Sequence, residues 1–273
     1  MFPKYMSKVI TISNHKGGVG KTTSVLNIGV GLTRRNKDVL LIDLDPQANL
    51  TQSLLVQDNS RKDDQHTPKK SSNIYEAMTG GGQLSPIHIK RPPGGSLDLI
   101  PSTIDLSGAE LELSGEPGRE YILTELLRKT KKSYDFILID TPPSIGLLTI
   151  NSLTASDYVI IPVQAQYLAV VGLTKLTEAI EKVKARLNKE LKVGGVFLTQ
   201  YTERHTLDKQ VETYLRKQVP YKVFKTAIRS NKALATAPIY FQDVFEYDKN
   251  STGAEDYQAL ANEILNIKEQ RKK

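Results

Sequence analysis

Apolar runs that end in a polar or acidic residue recur along the chain. Val9-Ile10-Thr11-Ile12, Val39-Leu40-Leu41-Ile42-Asp43, Phe136-Ile137-Leu138-Ile139-Asp140, Tyr158-Val159-Ile160-Ile161-Pro162-Val163 and the stretch from Val193 to Thr199 show no strict apolar–polar alternation. Strands that are apolar on both faces belong inside a parallel sheet covered by helices. Leu97-Asp98-Leu99-Ile100 reads as a further strand. Between the first two runs, Val25, Ile28, Gly29 and Leu32 fall on one helical face, so the chain opens with a β-α-β unit. Gly29 would let that helix approach the sheet closely. Helical spacing returns at Leu106–Glu112, at Tyr121–Leu127, at Leu176, Ile180 and Val183, and at Tyr257, Leu260, Ala261 and Ile264. Strands alternating with helices predict an α/β fold: a doubly wound, mostly parallel sheet with helices on both faces.

The link between the first strand and the first helix is Ser13-Asn14-His15-Lys16-Gly17-Gly18-Val19-Gly20-Lys21-Thr22-Thr23. Glycines let a backbone turn back on itself and aim successive N–H groups into one concavity. At the positive end of a helix that concavity suits a polyphosphate. Residues Lys16 to Thr23 are therefore the candidate phosphate cradle. Lys21 would place its ammonium on the β- and γ-phosphates, and the Thr22 hydroxyl would ligate Mg²⁺. The pattern departs from the standard G-x-x-x-x-G-K-[ST]: His15 stands where the first glycine would be, and a second lysine, Lys16, precedes Gly17.

Two strands deliver acids to the same edge, because ligands of open α/β sheets sit at the carboxyl ends of strands. The second runs into Asp43-Leu44-Asp45-Pro46-Gln47-Ala48-Asn49, which puts Asp45 near a γ-phosphate. The strand Phe136–Asp140 has the form of a Walker B element, with Asp140 reaching the magnesium shell and Pro142-Pro143 stiffening the loop beyond.

Composition narrows the function classes. No run of 18 apolar residues occurs in the 273, so no span of membrane length is expected, and Met1-Phe2-Pro3-Lys4-Tyr5-Met6 lacks the apolar core of a signal peptide. Without cysteine there are no disulfides or thiolate metal sites, consistent with a cytoplasmic location. The polar, unpatterned stretch Val56 to Ser72 reads as a mobile surface loop within one domain spanning 1–273. Net charge is +7, which favours polyanionic partners. Most of the excess is local. Between Tyr201 and Ala233, Arg204, Lys209, Arg216, Lys217, Lys222, Lys225, Arg229 and Lys232 face only three acids. No helix-turn-helix or zinc-finger signature accompanies them, so phosphate-backbone binding without sequence preference is expected.

The motif K-G-G-x-G-K-T resembles the deviant phosphate loop of the ParA/MinD class of P-loop ATPases, residue for residue. D-x-D-P-Q-x-N at Asp43–Asn49 is similar to switch I of that class, and D-T-P-P at Asp140–Pro143 to switch II. P-V-Q-A-x-Y from Pro162 and L-T-x-Y ending at Tyr201 carry the resemblance over nearly the whole chain, most weakly between Gln57 and Pro101. The resemblance implies a ParA/Soj-type DNA-partition ATPase that uses ATP and Mg²⁺ and works as a homodimer formed on ATP binding. In it, Lys16 neutralises the partner protomer's nucleotide, Asp45 orients the attacking water, and Asp43 supports the magnesium shell. Tyr201 and Pro238 are adenine-side candidates. Arg204, Arg216, Lys217, Lys222, Lys225, Arg229 and Lys232 are candidate contacts to non-specific DNA, which places the protein on the nucleoid. A ParB-like centromere-binding protein is the implied stimulator of hydrolysis.

Three alternatives remain at this level. A MinD-like membrane-associated positioning ATPase would carry a basic, bulky-apolar segment after the last helix; here the polar Glu269-Gln270-Arg271-Lys272-Lys273 follows directly, so no membrane partner is expected. A nitrogenase-type reductase needs cluster-holding cysteines, which are absent. A binding module without catalysis would not need Asp45, Asp140 and both lysines together.

Overall fold

The computed structural model describes residues 7–55, 73–90, 94–130, 133–165 and 169–267. The loop expected at 56–72, Pro92-Pro93, Gln166-Tyr167 and the residues after 267 lie outside them. In chain order the elements are β1 (Lys8–Ile12), α1 (Lys21–Thr33), β2 (Val39–Asp43), α2 (Asn49–Leu54), α3 (Ile74–Thr79), β3 (Ile87–His88), β4 (Leu97–Ile100), α4 (Leu106–Glu112) and α5 (Ile122–Thr130). There follow β5 (Phe136–Asp140), α6 (Leu147–Ala155), β6 (Tyr158–Gln164), α7 (Ala169–Arg186), β7 (Lys192–Thr199), α8 (Thr206–Gln218), α9 (Lys232–Thr236), α10 (Val244–Tyr247) and α11 (Thr252–Leu265).

Seven strands form one sheet in the order β3-β4-β2-β5-β1-β6-β7. All neighbours are parallel except the two-residue β3, which runs antiparallel to β4 at the edge. The unbroken apolar runs are explained by burial on both faces. Ile10, Ile12, Leu41, Leu138 and Ile160 pack with Val25, Ile28 and Leu32 of α1 and with Tyr257, Leu260 and Ile264 of α11. Val9, Leu40, Ile42, Ile137 and Ile139 face the other way, onto Leu106, Leu123, Leu127 and Leu148. Residues alternate between the two faces because a strand's side chains have a period of two.

Gly29 does permit the close approach its position suggested: a Cβ there would lie 2.7 Å from Leu41 Cδ2. Two residues on, a Cβ on Gly31 would lie 2.8 Å from the Cβ of Ala261, so α11 presses on α1 at a second glycine.

Beyond β7 the segment 223–229 continues the sheet by two isolated parallel bridges, Val196 to Val223 and Tyr201 to Arg229. Its outer side is bonded to α11 rather than to another strand. Glu263 accepts from the backbone N–H of Lys225 at 3.1 Å and of Thr226 at 2.8 Å, and Asp256 accepts from that of Arg229 at 2.9 Å. Seven residues of helix advance about 10.5 Å at 1.5 Å per residue. The three residues from Thr226 to Arg229 advance about 10 Å when extended. Two carboxylates two turns apart thus match the pitch of the strand they hold.

Candidate nucleotide-binding site

The carboxyl ends of β1, β2 and β5 come level with one another: Asp140 is in register with Ile12 on one side and with Asp43 on the other. The glycine-rich turn leaves β1 at that edge and enters α1. Gly18 and Gly20 take left-handed φ values of 71° and 82°, which is why side-chain-free residues stand there. The turn is fastened on two sides. The N–H of Lys16 donates to Asn14 Oδ1 at 3.1 Å, and Asn14 Nδ2 donates to the Pro162 carbonyl at 2.7 Å. From the end of β7, Thr199 Oγ1 donates to the Val19 carbonyl at 2.9 Å and Gln200 Nε2 to that of Gly18 at 2.8 Å.

The chemistry gathers around α1's first turn. Lys21 is buried, and its ammonium donates to the Lys16 carbonyl at 3.2 Å. Burial holds its pKa below the usual lysine value, and the charges of Asp140 and Asp45 oppose that shift. Thr22 Oγ1 donates to Asp140 Oδ2 at 2.6 Å. Asp140 is fully buried; burial first, and the adjacent Asp43 second, push its pKa well above the ordinary carboxylate value. Burial also pushes Asp43 up, to about 6. Asp140, beside a second buried carboxyl and bonded to the Thr22 hydroxyl, offers hard oxygen that suits a cation. Asp45 sits over this corner, with Oδ1 accepting from the Gln47 N–H at 3.0 Å and its carbonyl accepting from Ser102 Oγ at 2.8 Å.

A cleft of about 910 Å³ opens above these groups. Gly17 to Thr23 floor it, Asp45 and Pro143 flank the phosphate end, and residues from Ile228 to Phe241, Pro238 included, form the opposite wall. Among the described residues no cluster of three His, Cys, Asp or Glu side chains forms a self-sufficient metal site.

The AAA domain family model AAA_31 matches residues 7–193. The sporulation initiation inhibitor protein Soj of Bacillus subtilis is 42% identical over 259 residues, covering 95% of this chain and 98% of that protein. The chromosome-partitioning ATPase Soj of Treponema pallidum is 38% identical, with the same two coverages. This chain belongs to the Soj/ParA family of partition ATPases. Among solved structures, one titled cobyrinic acid a,c-diamide synthase from Mycobacterium smegmatis, with ADP and magnesium bound, superposes with a TM-score of 0.78 at 34% identity and covers 95% of this chain and 94% of its own.

Within this Soj/ParA chain the structure sorts the residues singled out from sequence. Gly17, Gly18, Gly20, Lys21, Thr22, Thr23, Asp45 and Pro238 line the cleft. Val19 is buried beneath the loop, and Lys16 is half-buried outside the cleft. Asp140 meets Thr22 directly.

Three placements add partners that the sequence reading lacked. Asp43 spends its oxygens on the protein: Oδ1 accepts from the Asp45 N–H at 3.2 Å, and Oδ2 from the N–H and hydroxyl of Thr51 at 2.8 and 2.7 Å. It braces switch I rather than facing the cleft. Tyr201 is buried among the β7 and α8 side chains and donates its hydroxyl to Glu212 at 2.8 Å, so it is not a wall of the cleft. Arg229 lines the cleft but is tied to Asp256 by paired bonds, Nε to Oδ2 at 2.9 Å and NH2 to Oδ1 at 2.6 Å, and to Glu255 at 2.6 Å. Arg216 is engaged as well, with Glu212 Oε1 at 2.9 Å and the Phe224 carbonyl at 3.2 Å. Arg204, Lys217, Lys222, Lys225 and Lys232 are exposed.

Asn14, Thr51, Ser102, Thr199 and Gln200 were missed. Asn14, Ser102, Thr199 and Gln200 act by hydrogen bonds to loop backbone and Thr51 by bonds to the Asp43 carboxylate, and neither leaves a spacing rule in a sequence. Gln200 is a non-glycine residue held at φ 51° beside the glycine loop.

Proposed function

We propose that ATP and Mg²⁺ occupy this cleft, that two protomers close over two nucleotides, and that the closed dimer binds DNA without sequence preference. Lys21 lines the cleft while Lys16, five residues earlier on the same loop, is not part of its lining; this one observation carries the reading. A lysine that serves its own triphosphate belongs inside, and one that serves a second copy's triphosphate belongs outside.

Thr22 and Asp140 would hold the metal, Asp140 through water, in keeping with a donor set of neutral and anionic oxygens. When bound, the ion neutralises charge on the β- and γ-phosphates. The backbone N–H groups from Gly17 to Thr23 cradle the phosphates, and the Lys21 ammonium gives up the Lys16 carbonyl for phosphate oxygens. Asp45, fixed by Gln47 and Ser102, holds the attacking water in line. Two ammoniums, one from each protomer, stabilise charge as it builds on the leaving group.

The exposed Arg204, Lys217, Lys222, Lys225 and Lys232 supply the phosphate-binding face for DNA. Hydrolysis that ends this state, stimulated by a ParB-like partner, completes a nucleoid-based partition cycle. Light scattering with a non-hydrolysable ATP analogue and Mg²⁺, run beside binding to random duplex DNA, tests the reading. A mass that doubles together with a gain of DNA affinity supports it; a monomer that ignores DNA under those conditions refutes it.

A further inference from the structure

We propose that Arg229 and Asp256 are positioning residues for the base end of the cleft and make no contact with DNA. The proposal rests on the reading that the cleft takes a nucleotide. The wall opposite the phosphate loop is built from residues 228 to 241, and little regular structure holds its first part. Ile228, Arg229, Ser230 and Asn231 precede the five-residue α9 and lean on two supports.

One support is the end of β7: Tyr201 N–H donates to the Ile228 carbonyl at 3.0 Å, and Ser230 N–H to the Tyr201 carbonyl at 2.9 Å. The other is the first two turns of α11. Buried Asp256 takes the backbone N–H of Arg229 and two donors, Nε and NH2, on one edge of its guanidinium. Asn231 Nδ2 donates to Thr252 Oγ1 at 2.6 Å. Gly253 lets α9 sit close, since a Cβ there would lie 2.8 Å from Leu234 Cγ. Next to Asp256, Tyr257 also lines the cleft and meets Ser24 of α1 at 2.9 Å. One helix turn therefore sets the distance between the wall and the phosphate loop's own helix.

The bidentate fork fixes the backbone direction at Arg229 as a single ammonium would not. Its positive charge is already answered by two carboxylates, which removes the gain from a phosphate. Distorting this clamp should loosen whatever the wall grips and leave the phosphate end intact.

Calorimetric titration of the full chain with ADP–Mg²⁺ and with inorganic tripolyphosphate–Mg²⁺ separates the two ends. Arg229→Lys, which keeps charge but loses the fork, is expected to weaken ADP about tenfold or more, because a buried carboxylate loses part of its pairing. Tripolyphosphate should stay within about twofold, since its cradle is untouched. Where single replacement compromises folding, the double variant Arg229→Leu with Asp256→Leu removes both buried charges together. It should show the same split, and DNA affinity at saturating nucleotide should equal that of the parent.

Equal loss of both probes overturns the proposal, and so does unchanged ADP binding by folded Arg229→Lys. Weakened DNA binding by the double variant at saturating nucleotide, with ADP unaffected, restores Arg229 to the DNA face. Parent protein that binds neither probe overturns the nucleotide reading and this proposal with it.

Discussion

The ammonium of Lys21 donates to the backbone carbonyl of Lys16, 3.2 Å away, so one lysine of the glycine loop is anchored on the backbone of the other. Lys21 lines the cleft and the half-buried Lys16 does not. Lys16→Ala is expected to bind ATP within a few-fold of the parent while losing dimerisation and at least about a hundredfold in hydrolysis, the scale of one preorganised charge-stabilising group. Light scattering and phosphate release measure the two losses. A Lys16→Ala protein that dimerises normally would refute the cross-protomer role.

Thr22→Val removes the hydroxyl that Asp140 accepts from and leaves a buried carboxyl without it. Hydrolysis is expected to fall about a hundredfold or more, and Mg²⁺ dependence to shift to higher concentration, because the oxygen proposed to face the metal has gone. A steady-state magnesium titration of Thr22→Val and Thr22→Ser gives the check. Serine keeps the oxygen and should retain most activity.

Binding of random duplex DNA should weaken steeply with salt, and each phosphate-contacting lysine or arginine removed should lower the slope of log affinity against log salt by about one. Arg204→Ala and Lys217→Ala are the informative variants, because both side chains are exposed. Arg216→Ala instead cuts α8 from the 223–224 backbone and should register first as lost thermal stability.

Glu263 gives the fold a pH dependence with a definite sign. Bonds from Lys225 and Thr226 outweigh burial and hold its pKa below the ordinary glutamate value. A group whose pKa is depressed by folding stabilises at pH above its unfolded value, near 4.5, and that contribution disappears as pH falls through the lower folded value. Glu263→Gln should therefore cost about 1 kcal/mol at neutral pH, allowing for partial exposure, and progressively less in acid. Urea unfolding of both proteins at pH 7 and at pH 3 measures the difference; a gap that widens in acid would contradict the assignment.

The strands and the phosphate end were legible because they write themselves in local pattern. Unbroken apolar runs ending in Asp43 and Asp140, and glycines where φ turns positive, have few other readings. The basic stretch from Tyr201 to Ala233 was read from composition, which counts charge and is blind to its partners. Arg229 meets Asp256 and Glu255, 26 and 27 residues later in the chain, and Arg216 meets the carbonyl of Phe224. Asp43 is a like case: its place at a strand end is legible, and its bonds to Asp45 and Thr51 are not. Pairing across the fold decides such cases, and only coordinates record it.

The two margins of the sheet bear on how copies of this molecule can meet. At one, a two-residue antiparallel strand offers scant backbone for a newcomer. At the other, the outermost amides at Lys225, Thr226 and Arg229 are consumed by helix carboxylates. Among the described residues neither margin offers a full strand as a template, so ribbon growth by edge-to-edge β-pairing finds little to build on. Meetings between copies are left to side-chain faces rather than to shared sheet hydrogen bonds.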